Sequence, residues 1–483
     1  MSFHVNRAAV LRVMLAATVL AGSACTAARR PYTAPTPAVP ESWSRETTTA
    51  AASGSPGDTA TVDTAWWTTF GDPQLVRLVE RAIAANLDVH RALSRIREAR
   101  ARLRVTRGDR APSVTIGAST TASSSPSQDA AGRVMGVQRD YQTSADASWE
   151  ADIVGGIHSA IDASAATLDA TSADLDNVVV TLAADVGTTY IRIRSLQERL
   201  AVAATSEAAQ ADSYDLTRFR QQAGLTTQLE VEQARSSLDS TRAQMASLRL
   251  DKAQTVHALA ILLAEPPTSL DAELMDSRPV PTAPLSLAIG IPAEVLRRRP
   301  DVRSAERRLA AQDAQVNVAR ASLYPRLTLT GSIGLETLNI AKWFLPGAAF
   351  WRLGPSLSLA AFDRTRIRQN IVIQDELRVQ AAVDYESRVL TALNEVEDAL
   401  VAIGEESDRR DRLVEAAAAA QQASALALQM YSAGLRDFRD VLDAQRSLLS
   451  IQDSLASSRA NLSTDVVRLY RSAGGGWATL SAP

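Results

Sequence analysis

Between Trp351 and Phe362 the chain alternates. Trp351, Leu353, Pro355, Leu357, Leu359 and Ala361 fall on one side of a strand, and Arg352, Gly354, Ser356, Ser358 and Ala360 on the other. This is period two, with one apolar face and one small or polar face. Three further stretches repeat it. Ala145, Ala147, Trp149 and Ala151 oppose Asp146, Ser148, Glu150 and Asp152; Leu327, Leu329, Gly331, Ile333 and Leu335 oppose Thr328, Thr330, Ser332 and Gly334; a weaker run sets Val114, Ile116 and Ala118 against Ser113, Thr115 and Gly117. The pattern predicts strands at about 112–121, 142–153, 326–336 and 351–362. Each has about the ten residues that a tilted membrane-spanning strand needs.

The remainder reads as long helix. No proline occurs between Pro126 and Pro266, or between Pro355 and Pro483. Ile161, Ala165, Leu168, Ser172, Leu175, Val179, Leu182 and Val186 follow alternating spacings of four and three, as do Val231, Ala234, Leu238, Thr241, Met245 and Leu248, and Val441, Ala444, Leu448, Ile451 and Leu455. Such spacing is a coiled-coil seam. Unbroken, Ile157 to Gln222 reaches roughly 100 Å. Gly224 and Gly434 are the turn signals, each opening a helical hairpin, and Gly404 marks a candidate break or shift of register. Asp72 and Pro73 mark the N-cap and first turn of an earlier helix running to about Val105.

The pattern is duplicated. Asp88 to Ser119 aligns with Asp301 to Ser332 at an offset of 213, so that Pro112 meets Pro325; later, Ala223-Gly224-Leu225 meets Ala433-Gly434-Leu435 at an offset of 210. The chain therefore divides into two tandem repeats, 73–284 and 292–477, joined by a linker at 285–291 and followed by a tail at 478–483. Each repeat reads helix, strand, strand, long helical hairpin.

Of 483 residues, 46% are hydrophobic and the net charge is −3. This balance argues against nucleic acid as a partner. Arg7 and Arg12 precede an apolar run from Val13 to Ala21, which predicts a signal peptide over 1–24. Cys25 is the single cysteine and excludes an internal disulfide. Gly22-Ser23-Ala24-Cys25 resembles a bacterial lipobox, which makes Cys25 the expected lipidation site and 25–72 a lipid-anchored, extended leader. An ordinary signal-peptidase site after Ala24 is the alternative. No later run is long and apolar enough for a transmembrane helix.

Four amphipathic strands in a helical chain set a physical problem. In a bilayer no sheet edge can be left open. Four strands do not close around water, since single-chain barrels start at about eight. Other copies must therefore pair the edges, and three copies supply twelve strands. Trp149, Trp343, Phe344, Trp351 and Phe362 sit at strand ends or loops, as in an aromatic girdle. A soluble α+β protein with a small half-buried sheet explains the alternation equally well, but not the signal, the duplication or the helix length.

Phe70-Gly71-Asp72-Pro73, Leu296-Arg297-Arg298-Arg299-Pro300-Asp301-Val302-Arg303, Tyr324-Pro325-Arg326-Leu327, Leu390 to Leu400 and Gly474-Gly475-Gly476-Trp477 resemble motifs of the outer membrane factor family, the TolC- and OprM-like proteins, in its NodT-type lipoprotein branch. The resemblance covers nearly everything after the signal. It implies an α+β membrane protein: a homotrimer whose twelve-stranded outer-membrane β-barrel, four strands per chain, stands on a long periplasmic α-helical barrel of coiled-coil hairpins. It further implies an exit duct in the bacterial outer membrane, docked to a periplasmic adaptor and an inner-membrane pump of the resistance–nodulation–division type.

Site residues follow from pattern and resemblance together. Asp440 and Asp443 are three apart on one helix face and would form a ring of carboxylates in a trimer, attracting cations. Tyr431, Arg436, Asp440 and Asp443 stand where TolC-like proteins carry the gate's tyrosine, arginine and paired aspartates. On the facing hairpin Glu230 replaces the family's aspartate and Leu229 a threonine. The turns carrying Gly224, Leu225, Gly434 and Leu435 are candidate adaptor contacts; a purely structural turn is the alternative.

His4, His90, His158 and His257 lack metal-ligand spacing, and no phosphate-binding loop, dinucleotide motif or nucleophile elbow occurs. The expectation is a non-enzyme with no cofactor beyond a covalent lipid on Cys25, acting as a passive efflux channel. A conduit for type I protein secretion and a non-pore periplasmic coiled-coil lipoprotein are the alternatives.

Overall fold

The computed structural model describes residues 31–36, 39–40, 42–43, 65–124, 137–283, 292–360 and 362–475. Cys25 with the signal, most of the leader, the linker 285–291, Ala361, Gly476, Trp477 and the tail lie outside the described residues. Trp66–Phe70 forms a 3-10 turn. It is followed by α1 (Pro73–Ala85), α2 (Leu87–Gly108), β1 (Ser113–Ser123), β2 (Gln138–Ala151), α3 (Gly156–Gln222) and α4 (Gln228–Leu262). The second series is α5 (Pro292–Arg298), α6 (Pro300–Ala321), β3 (Arg326–Thr337), β4 (Ala349–Ser358), α7 (Arg364–Ser432) and α8 (Phe438–Ser472). The two series share one element order.

The chain forms two compact units. One contains residues 1–36, 95–172 and 304–386, and the other 37–94, 173–303 and 387–483. The sequence repeats are therefore not the compact units: each unit draws a segment from both repeats.

In the first unit the strands form one antiparallel sheet in the order β1-β2-β3-β4. Its register stacks the four alternations in phase. Val114, Ala147, Gly331 and Leu353 form one cross-strand row, and Ile116, Ala145, Ile333 and Trp351 the next. Trp149, Leu329 and Pro355 form a third row on the same face, and Leu327 with Leu357 extends a fourth. The opposite face carries Ser148 beside Thr330 and Gly354, and Asp146 beside Ser332 and Arg352. Because the side-chain period is two, a slip of one residue would move every apolar side chain to the polar face. Ile116 is 79% exposed, Trp351 77% and Leu353 69%, so nothing among the described residues of the single chain covers these apolar side chains.

The strands depart from their expected limits. β1 runs on to Ser123, and β2 starts at Gln138, four residues before Gln142. β4 covers 349–358, so Leu359 and Phe362 lie beyond its end. Its Pro355 is tolerated because β4 is an edge strand.

In the second unit, Asp72 caps α1 as predicted. One carboxylate oxygen accepts from the backbone N–H of Gln74 (2.8 Å) and Leu75 (3.3 Å), and the other from the Tyr190 hydroxyl (2.6 Å). Burial pushes the Tyr190 phenol up to about 12. The helix expected to continue to Val105 is instead broken at Asn86, which is extended. The Asn86 side chain caps α2 through the N–H of Asp88 and Val89 and donates to the Leu262 carbonyl (2.8 Å). A break recurs at Arg299, just before Pro300. Gly404, by contrast, breaks nothing: α7 is continuous through it.

The predicted seam of α4 is buried at Val231, Ala234, Leu238, Thr241 and Leu248. It packs on α3, where Thr241 donates to Gln210 (2.7 Å) and Arg242 pairs with Glu207 (2.9 Å). Helix α8 crosses to α3 through Arg199–Asp453 (2.7 Å), Arg459–Glu198 (2.7 Å) and Gln445 donating to Ser213 (2.9 Å).

Glycines test the sheet. A methyl at Gly334 would run into the backbone of Thr143 and lie 2.8 Å from Ser144 Cα, whereas one at Gly354 meets nothing within 4 Å. Gly334→Ala is expected to lower stability by about 1–3 kcal/mol and Gly354→Ala to leave it nearly unchanged, as read by thermal unfolding of the purified protein in detergent.

Candidate functional site

The two helical turns are built alike. At the first, the Leu225 N–H donates to the Arg220 carbonyl (2.8 Å) and the Gly224 N–H to Gln221 (2.9 Å); at the second, Leu435 donates to Met430 (2.9 Å) and Gly434 to Tyr431 (3.0 Å). This is the Schellman arrangement, which needs a left-handed residue after the helix. Gly224 and Gly434 provide it, with φ of 73° and 76°. The apolar residues that follow are left in solvent: Leu225 is 69% exposed and Leu435 73%.

The second turn is anchored from the first hairpin. Tyr431, Phe438, Val441 and Leu442 bury against Ala234 of α4, with Tyr214 and Leu216 of α3 packed alongside. The Tyr431 and Phe438 rings lie 5.2 Å apart. The Tyr431 hydroxyl donates to the Glu230 carboxylate at 3.2 Å, so the longer glutamate reaches across the hairpins. Burial pushes the Tyr431 phenol above its ordinary range, and the adjacent Glu230 charge pushes it the same way.

The remaining predicted residues behave differently. Arg436 pairs with Asp440 of its own segment (3.6 Å), and Arg439 with Asp443 (3.9 Å), all with exposed side chains. Such i,i+4 pairs contribute a few tenths of a kcal/mol at most. Asp440 and Asp443 therefore stand on the solvent side of α8. Their neighbours Val441 and Leu442 supply its buried side.

Sequence reasoning missed Arg220. Its guanidinium lies over the Tyr431 ring, 4.7 Å from the centroid, and donates to the carbonyls of Tyr431 (3.1 Å) and Ser432 (3.3 Å). It thus caps the C-terminus of α7 from the last turn of α3. The available signal was a cation one turn before Gly224, with an aromatic at the matching end of the other hairpin.

The arginine run Arg297-Arg298-Arg299 has a structural job at its last member. Arg299 is 5% exposed and donates to Asp301 (2.7 Å), Glu395 (2.6 Å) and the Ser472 carbonyl (2.9 Å). Burial opposes the Asp301 charge, but Arg299 prevails and holds that carboxyl below its ordinary range. A methyl on Gly474 would come within 3.3 Å of Arg299. The motifs around 299, 395 and 474 therefore converge on one ion cluster away from the turns, built on the buried Arg299 and open to solvent at Glu395. Among the described residues no group of three or more His, Cys, Asp or Glu is placed to hold a metal ion, and no helix is long and apolar enough to cross a membrane.

Comparison with known proteins completes the assignment. The family model for outer membrane efflux proteins matches residues 78–265 and 291–475. Nodulation protein T of Rhizobium leguminosarum bv. viciae is 33% identical over 447 residues, spanning 92% of this chain and 90% of its own. The probable efflux pump outer membrane protein SepC of Pseudomonas putida is 31% identical over 430 residues, 88% of each chain. The solved structure of the outer-membrane channel OprN has a TM-score of 0.84 at 34% identity, covering 92% of this chain and 99% of that one. The fold is thus that of an outer-membrane channel component. The chain belongs to the outer membrane efflux protein family.

Removing the Arg220 contacts tests their role. Arg220→Ala is expected to speed amide exchange in the last turn of α7 about tenfold, or about 1.4 kcal/mol of local stability. Glu230→Ala should give a smaller effect and Glu230→Gln less still, because the amide retains an acceptor. Hydrogen exchange by mass spectrometry reads all three.

Proposed function

We propose that three copies of this chain pair their sheet edges into a twelve-stranded outer-membrane β-barrel and assemble their long helices into a periplasmic helical barrel. The complex is a passive exit duct through which an inner-membrane pump, coupled by a periplasmic adaptor, expels small molecules. One observation carries this reading: the in-phase sheet has a continuous apolar face, and β1 and β4 are its edge strands. In hydrocarbon those edges require partners, and family membership makes hydrocarbon the environment.

The turns at Gly224–Leu225 and Gly434–Leu435 receive the adaptor, since they present leucines to solvent at the ends of two rigid hairpins. Asp440 and Asp443 line the periplasmic entrance. The link from Tyr431 to Glu230 holds the second hairpin against the first and so sets the resting aperture. Arg436, just before α8, acts on Asp440 in the first turn of that helix rather than on the facing hairpin. Cys25 carries a lipid that supplements the barrel as an anchor. The pump is of the resistance–nodulation–division type, as the family resemblance implies; the efflux-pump relatives support a pump partner without giving its type.

Planar-bilayer recordings test the proposal. The purified protein is expected to form cation-preferring channels. Asp440→Ala with Asp443→Ala should move that preference toward unity and weaken block by multivalent cations. Unaltered selectivity would remove the aspartates from the entrance; absence of any conductance would favour a pore-less scaffold.

A further inference from the structure

The β3–β4 connection exposes apolar side chains although its backbone is ordered. Residues 338–348 fold as successive tight turns. The Asn339 side chain accepts from the Ala341 N–H (3.0 Å), Trp343 N–H donates to the Ile340 carbonyl (3.2 Å), and Ala348 N–H to Leu345 (2.9 Å). Yet Phe344 is 90% exposed, Leu338 60%, Ile340 56% and Leu345 55%. An ordered loop that turns its largest apolar groups outward marks a contact surface.

The loop's position indicates which surface it meets. Strand ends that join helices lie at one end of the sheet, so this connection is at the other. Trp343 packs edge-on against Tyr141 with ring centroids 6.3 Å apart. Tyr141 shares strand parity with Ala145, Ala147 and Trp149, so Trp343 docks on the apolar face rather than the polar one. From Ala151 to Tyr141, which pairs with Thr337, that face runs about 33 Å along β2 at about 3.3 Å per residue. On a strand tilted by about 40° this gives roughly 25 Å of height, the apolar band of outer-membrane barrels. Phe344 and Leu345 follow directly beyond that edge of the face. Lys342, one of the chain's two lysines, is exposed among them. Its long stem can lie along apolar surface while the ammonium reaches a lipid phosphate.

We propose that the 338–345 loop is a lipid-inserting wedge: Phe344 and Leu345 enter the outer leaflet of the outer membrane and extend the barrel's apolar belt. This rests on the barrel reading above, and the test separates the two. A nitroxide is attached to Phe344→Cys, in a Cys25→Ser background of the full chain in liposomes, and its collisions with oxygen and with a water-soluble nickel complex are compared. Leu353→Cys on the sheet's apolar face and Asp440→Cys at the helical turn serve as references. The expected result is a positive depth parameter at Phe344, smaller than at Leu353, with Asp440 negative. A lipid signal at Leu353 with a water signal at Phe344 would overturn the wedge alone. Protection from both reagents at Phe344 would overturn it too, since protein would then cover the loop. A water signal at Leu353 would overturn the barrel reading itself. If Phe344→Cys does not assemble, Leu345→Cys makes the same comparison.

Discussion

An unpaired peptide group in hydrocarbon costs several kcal/mol, and this cost governs the molecule. The four strands are in phase, so one face of the sheet is apolar throughout, from Val114 to Leu357. A chain carrying such a face in a membrane protein family has two edges to satisfy and no further strand of its own among the described residues. In the proposed barrel, self-association satisfies those edges through backbone chemistry before any side chain at an interface is considered. The tight approach of β2 to β3 at Gly334 keeps the register that makes the face continuous.

The helical region solves a different problem, that of precision at the ends of long levers. Helices α3 and α7 have 67 and 69 residues, and α4 and α8 each have 35. Packing along the seam fixes their mutual spacing in the hairpins, through Leu238, Thr241 and Leu248 on one and Val441 on the other. At the second tip the cluster of Tyr431, Phe438, Val441 and Leu442 on Ala234 continues that packing. A small set of directional contacts joins it: Arg220 on the α7 carboxyl end, and Tyr431 on Glu230. Contacts of this kind contribute about 1 kcal/mol each.

Period and parity were legible in the sequence; pairing was not. Alternation at 326–336 and 351–362 located both strands because one face had to be apolar, yet β4 stops at Ser358, where its pairing with Arg326 at the start of β3 ends. The turns at Gly224 and Gly434 were legible because a left-handed residue is nearly always glycine. Asn86 was not read as a break, because asparagine is an ordinary helix-surface residue unless its side chain caps the next helix. Gly404 was read as a candidate break, but one glycine costs only about 1 kcal/mol and a long packed helix absorbs it. At the tip, Tyr431 and Glu230 come together, while Arg436 turns back to Asp440: local spacing favours the i,i+4 pair over a partner on another hairpin. Arg220 escaped notice because its hydrogen bonds go to backbone carbonyls, and its one sequence signal, a cation one turn before Gly224 opposite Tyr431, needs the pairing of the two hairpins to be read.

The most direct measurement is the mass of the conducting particle, by native mass spectrometry of the detergent-purified protein that forms channels. Lipid's intolerance of bare strand edges predicts more than one chain per particle, and the proposed twelve-stranded barrel sets the number at three, with no conductance in any single-chain fraction. A stable particle of one chain that conducts would contradict the account.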